Sequence, residues 1–157
     1  MYEHITKDYI RSHTFQSDGL YFSRAEEASF RLSSNSASLP ATSEQNNIRL
    51  RKELFSLTST KFPSNAAMEA ACGVSYELIK KNISGKRRIT RATLAKLCVG
   101  MGLSVEKAQE LFRLEGHSLE PDINRLDAIV VDALQCGDDI STFFEECEEF
   151  GLNLFKA

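Results

Sequence analysis

The sequence predicts an all-α fold, a compact bundle of short helices followed by a C-terminal helical hairpin. Three observations lead there. From Asn46 onward, apolar residues recur every three or four positions, the repeat of one buried helix face. Serine or threonine stands just ahead of four of these stretches and glycine just behind, the residue types that start and stop helices. No stretch of any length alternates polar with apolar residues, so β structure should be nearly absent.

Residues 1–43 are read as an N-terminal segment, partly ordered and partly linker. Tyr2, Ile5, Tyr9 and Ile10 are spaced for a short amphipathic helix, and SSNSASLPATSEQNN is polar in the manner of a linker. Phe15, Leu20, Tyr21, Phe22 and Phe30 are too many large apolar groups for a plain tail, and they point to packing on the domain or on a partner. A helix ending before Pro63 follows, with Ile48, Leu50, Leu54, Phe55 and Leu57 grouped as its buried face. Ser64 is placed to cap SNAAMEAA, with Ala67, Met68 and Ala71 inward, and Gly73 to end it in a left-handed conformation. Ser75 caps YELIKKNIS, whose Ile79 and Ile83 share one side, and Gly85 stops it. Thr90 caps RATLAKLCVGMG, with Leu94, Leu97, Cys98 and Met101 inward. Ser104 caps VEKAQELFRLEG, with Ala108, Leu111, Phe112 and Leu114 inward. Helices this short hold only by packing on each other, which makes residues 44–116 one domain. Residues 117–157 form an acidic extension of two helices. Asn124 to Gln135 carries Leu126, Ile129, Val130, Ala133 and Leu134, and Ile140 to Phe150 carries Phe143, Phe144, Cys147 and Phe150. The short spacer at Gly137 fits an antiparallel pair, packed on the upstream domain or across a dimer interface.

Composition narrows the function. The chain has 157 residues, 42% of them hydrophobic, which is enough for a packed core. No apolar run approaches the roughly 20 residues that cross a bilayer, and no secretory leader is visible, so a cytoplasmic protein without membrane contact is expected. Cys72, Cys98, Cys136 and Cys147 include no closely spaced pair and read as small buried hydrophobes. His4, His13 and His117 lie far apart. Neither a metal site nor a cofactor is expected, and no phosphate loop or catalytic triad pattern suggests an enzyme. Asp138 and Asp139 alone do not make an active site, and EECEEF reads as a solvated helix face.

Charge is informative by location. The net charge is −3, yet residues 75–96 hold seven basic residues against Glu77 alone, whereas residues 97–157 hold four basic and thirteen acidic residues. Only one part of such a polarised molecule attracts phosphate. The basic stretch begins with the second of two short helices joined by a tight turn, a helix-turn-helix. Its second helix, about 75–84, is suited to the major groove, where each base pair displays its own donors and acceptors. Ser75 and Tyr76 at its start are candidates for backbone or base contact, Lys80 and Lys81 for phosphate or guanine. Lys86, Arg87, Arg88 and Arg91 would run along the phosphates.

The stretch NAAMEAACGVSYELIKKNISGKRRITRATLAKLCVGMGLSVEKAQELF resembles the lambda-repressor-like (Xre-type) helix-turn-helix family over about 55 residues. The resemblance implies a five-helix bundle with a recognition helix ahead of a glycine-plus-basic loop. It places Asn65 against the DNA backbone, and Ser75, Tyr76, Glu77 and Lys80 where the recognition helix meets DNA. Ala70, Gly73 and Val74 fall on its helix, turn and core positions, Ile79 and Ile83 on the buried side, and Gly85, Lys86, Arg87 and Arg88 on the loop. Two departures stand out. Asn82 occupies a position where the family has a buried apolar residue, which requires either a rotated helix packed by Ile83 or a hydrogen bond from Asn82 to neighbouring backbone. Glu77 repels phosphate, although it can accept from a cytosine amino group.

The segments GLSVEKAQELFRLEGHSL and NRLDAIVVDALQCGDDISTFFEECEEFGL resemble a two-helix extension of some bacterial and phage regulators. Its acidity disfavours DNA, so dimerisation or partner binding through Ile129, Phe143, Phe144 and Phe150 is the expectation, with plain core the competing one. The function expected is a sequence-specific regulator of transcription that binds double-stranded DNA as a homodimer. The alternative is an adaptor of the same fold that binds another protein through Tyr76, Glu77 and the acidic half, without DNA.

Overall fold

Hydroxyl caps start the central helices where the sequence places them. Ser64, Ser75, Thr90 and Ser104 each accept the backbone amide three residues on, at 3.1–3.2 Å, satisfying one of the donors a helix start leaves unpaired. The structure, a computed structural model, describes residues 4–18, 41–116 and 118–152, the side chains of 41–43 excepted. Expectations for Tyr2, Leu20, Tyr21, Phe22, Phe30, His117 and the first half of the polar linker lie outside those residues.

Eight helices are present among the described residues: α1 Lys7–Ser12, α2 Ala41–Lys61, α3 Asn65–Cys72, α4 Tyr76–Ser84, α5 Arg91–Gly100, α6 Val105–Glu115, α7 Arg125–Cys136 and α8 Ile140–Glu149. The fold is an all-α bundle of short helices with a C-terminal helical hairpin, α7 and α8. The one β feature among the described residues is an isolated bridge between Ser17 and Asn124.

Helix α5 is the hub. It packs against α3, α6, α7 and α8, and every residue from Arg91 to Val99 is buried. Leu94, Leu97 and Cys98 lie inward as their spacing predicts, but Arg91, Thr93 and Lys96 are buried as well. The hairpin therefore closes over a helix that its own sequence marks as amphipathic. Phe112, Phe143, Leu94, Leu97, Leu111, Leu126 and Ile129 fill the interior, each fully buried and each stabilising the fold by about 1.5–3 kcal/mol relative to exposure.

Helix α2 departs from expectation in two ways. It begins at Ala41, so ATSEQNN is its first two turns, not linker. Its inward stripe is Leu50, Leu54 and Thr58, with Leu57 half-buried, while Ile48 and Phe55 are 42% and 61% exposed. At about 100° per residue, Ile48 and Phe55 fall on the side opposite Leu50 and Leu57; the expected face had merged two.

Residues 4–18 pack on the hairpin. Asn124, ahead of α7, makes no side-chain cap. The first amides of α7, on Arg125 and Leu126, instead donate to the carbonyls of Ser17 and Asp18, both at 2.9 Å. The Asp18 carboxylate pairs with Arg125 at 3.2 Å, and the Arg125 guanidinium stacks over Phe15. Ile5 and Ile10 are buried beside α7, and the amide of Ile5 donates to Gln135. The N-terminal segment thus supplies the cap that the sequence of α7 lacks.

Candidate functional site

The charged stretch singled out by the sequence spans α4 and the loop after it. Helix α3 runs into α4 through Gly73, Val74 and Ser75. Gly73 adopts φ +65°, and a side chain there would meet the Phe144 ring at 2.8 Å. Val74 is buried. Helix α3 and α4 are tied together by a bond the sequence does not announce: the amide of Tyr76 donates to Oε1 of Glu69 at 2.6 Å. A carboxylate at the start of α4 also complements the helix dipole. At the other end, Arg51 of α2 donates to the carbonyl of Ser84 at 3.2 Å, a cation at the C-terminus where the dipole favours it. Its guanidinium lies over Gly85, which has φ +82°, and a Cβ there would displace it. Glu69 and Arg51 both lie seven or more residues away from what they hold, beyond the reach of local spacing rules.

Asn82 resolves the first departure noted above. It is buried, and its Nδ2 donates to the carbonyl of Arg87 at 3.0 Å, with the Arg87 amide donating to the Lys81 carbonyl at 3.2 Å. Ile79 supplies the fully buried apolar contact and Ile83 stays half-buried. An amide where an apolar residue is expected therefore shapes the basic loop.

The basic residues divide into two sets. Lys80, Lys81, Lys86 and Arg87 are exposed, and among the described residues no acidic group lies within ion-pair distance of them. Arg88 and Arg91 are engaged by acidic groups of the fold, Arg88 while still exposed and Arg91 in the interior. Arg88 bonds the Glu115 carboxylate at 2.5 Å and its carbonyl at 3.0 Å. Arg91 is buried, 2.6 Å from Asp127, which removes it from the expected phosphate-facing row. Arg88, in the chain ahead of α5, reaches Glu115 at the end of α6, and Arg91, the first residue of α5, reaches Asp127 of α7.

Burial pushes the Glu115 carboxyl above its ordinary value of 4.5, and Arg88 pulls it back. Because the folded protein holds this proton more readily than the unfolded chain, the group's contribution to stability is present at low pH and declines as pH rises through its titration. Removing Arg88 pushes the carboxyl further up. Arg88→Ala is therefore expected to cost more stability at neutral pH, where ionising the buried Glu115 no longer has Arg88 to offset its desolvation, than near pH 4, below the carboxyl's ordinary value. Urea denaturation at the two pH values checks this; equal losses would mean that the pair contributes no electrostatic stabilisation.

Asn65, Tyr76 and Lys80 come together on a groove of about 470 Å³ between α2, α3 and α4, with Phe55, Phe62, Met68 and Ile79 as its apolar lining. Glu77 is exposed outside it. The Ser75 hydroxyl is engaged in capping. The four residues expected at a partner surface are placed differently: Ile129 and Phe143 are fully buried in the chain's own core, and Phe144 and Phe150 are half-buried against it. Lys96 lies 5.9 Å over the Phe144 ring. The apolar spacing that suggested an interface is satisfied by α7 and α8 packing on α5, which leaves Ile129 and Phe143 unavailable to a partner. No helix among the described residues is long and apolar enough to cross a membrane. Comparison with protein-family models, with characterised proteins and with solved structures returns no match for this chain.

Proposed function

We propose that the protein is a sequence-specific regulator of transcription that binds double-stranded DNA, with α4 entering the major groove. The observation that carries this reading is the set Lys80, Lys81, Lys86 and Arg87: four exposed cations on α4 and its following loop, without acidic partners among the described residues, in a chain of net charge −3. Cations left unpaired beside abundant carboxylates suit an external anion, and a row along one helix and loop suits a phosphate backbone. Tyr76, Lys80 and Asn65 then face base edges or sugar-phosphate, and Glu77 selects for a cytosine amino group. A homodimer reading a two-fold site would set two copies of α4 about one helical turn of DNA apart.

A second reading, an adaptor that binds protein, draws support from the exposed Phe55 beside the groove that holds Tyr76.

Binding to the DNA upstream of the gene and to random duplex over a salt series separates the two. Preference for one sequence by roughly 1,000-fold or more is expected. Changing Lys80, Lys86 and Arg87 together to Ala should weaken binding to every duplex and flatten the salt dependence by about three counterions. Binding that the triple substitution leaves unchanged, or none to any duplex in a genomic selection, would overturn the DNA reading.

A further inference from the structure

Away from the basic face, the hairpin gathers acidic groups into one place. Asp132 and Cys136 stand one helical turn apart on α7, Asp138 lies in the turn, and one ligand-type atom from each falls within 4.8 Å of the others. Cys136 Sγ lies 3.5 Å from Asp132 Oδ1. The independent observation comes from α8. Glu146 is 2% exposed, and neither of its carboxylate oxygens finds a hydrogen-bond donor among the described residues. What it faces is Asp132, also buried and also an acceptor.

Two buried carboxylates in contact, with a thiol and a third carboxylate beside them, are costly as they stand. The exposed Lys7 is the cation whose field reaches Glu146 and Asp138. Such a cluster is relieved in one of two ways: the carboxyls share a proton, or a cation sits among them.

We propose that Asp132, Cys136, Asp138 and Glu146 bind one divalent transition-metal ion of zinc-like, borderline softness. A thiolate among carboxylates favours such an ion over magnesium or calcium, which take oxygen ligands alone. In a tetrahedral zinc site, bonds of about 2.0–2.3 Å set ligand atoms roughly 3.3–3.8 Å apart. The 4.8 Å spacing is that of Asp132, Cys136 and Asp138, which Glu146 joins through Asp132; closing to zinc distances takes rotation of the exposed Cys136 and half-buried Asp138 about the buried Asp132 and Glu146. The ion would join both helices of the hairpin and its turn, and so hold the element that closes over α5. Sequence spacing misses the site because three of the four ligands are carboxylates and one of them, Glu146, comes from the second helix.

The test uses the full chain freed of metal by a chelator. Titration with Co²⁺ is expected to give a thiolate-to-metal charge-transfer band, lost in Cys136→Ser. Zn²⁺ should displace Co²⁺ and protect Cys136 from alkylation. Cys136 is the one exposed cysteine of the four, so modification in the folded protein reports on it. Glu146→Gln keeps the shape of the buried side chain, and far-UV circular dichroism verifies its fold. It should weaken Zn²⁺ binding by at least the roughly 10–100-fold that loss of a supporting partner costs. Failure of Zn²⁺ to protect Cys136, or equal Zn²⁺ affinity in Glu146→Gln, would overturn the site and leave a proton shared by Asp132 and Glu146.

Discussion

Asp127→Ala is expected to lower the stability of the fold by about 3–5 kcal/mol, the cost of leaving a buried charge without its partner. Arg91 and Asp127 are 6% and 0% exposed, 2.6 Å apart, and sit where α5, α7 and the chain between α6 and α7 meet. The same Asp127 oxygen also accepts from the Glu120 amide at 2.8 Å and from Asn124 Nδ2 at 3.2 Å, and Arg91 donates to the Ser118 carbonyl at 3.3 Å. Burial pushes the Asp127 carboxyl upward, and Arg91 foremost among its donors pulls it back. One carboxylate thus organises three segments, and its removal strands a guanidinium in the core. Against a total stability of typically 5–15 kcal/mol, this is a large fraction. Replacing both partners, as Arg91→Met with Asp127→Leu, should recover much of the loss, because an apolar pair of similar size avoids the desolvation cost of two ions. Urea denaturation of the single and double variants measures the coupling. A double variant as unstable as Asp127→Ala would show that the backbone bonds to Asp127, and not its charge, hold the junction.

What the sequence makes legible follows from how local each signal is. Ser64, Ser75, Thr90 and Ser104 act within three residues, so their caps and the helices behind them are readable without any tertiary information. The start of α2 is not, because ATSEQNN carries turn-forming residues and no apolar repeat, and the helix is extended there against its composition. Arg88 and Arg91 look like the rest of the basic run until Glu115 and Asp127, 27 and 36 residues on, are brought beside them. The same holds for Ile129 and Phe143. Their helical spacing marks a face to be buried, and only the packing of the hairpin on α5 says that the chain buries it itself. The exposed set at Lys80, Lys81, Lys86 and Arg87 was readable as charge. The devices that hold it, Glu69, Arg51 and the Asn82 amide, are contacts between elements and leave no trace in spacing.

One contact that positions α4 runs through α3, and Gly100 controls it. A Cβ at Gly100 would fall 2.6 Å from the Ala71 carbonyl oxygen, 2.6 Å from Cys72 Cα and 2.6 Å from Cys72 Sγ. Two of those three atoms are backbone, so no rotamer change relieves the clash and α3 must move off α5. Overpacking of this kind costs about 1–3 kcal/mol, and contact with backbone places it at the upper end. Alanine's better helix propensity returns about 1 kcal/mol, leaving a net loss near 2 kcal/mol. Gly102→Ala is the control: its φ of +63° imposes a strain of about 1–2 kcal/mol, but the Cβ points into open space. The two variants therefore separate by function more than by melting temperature. Moving α3 carries Glu69 away from the Tyr76 amide, so Gly100→Ala should weaken DNA binding under the proposed function while leaving the salt dependence intact, since Lys80, Lys81, Lys86 and Arg87 are untouched. Gly102→Ala should lose stability alone. DNA affinity measured well below both melting temperatures decides between them, and equal affinities would show that the spacing of α3 and α5 does not set the presentation of α4.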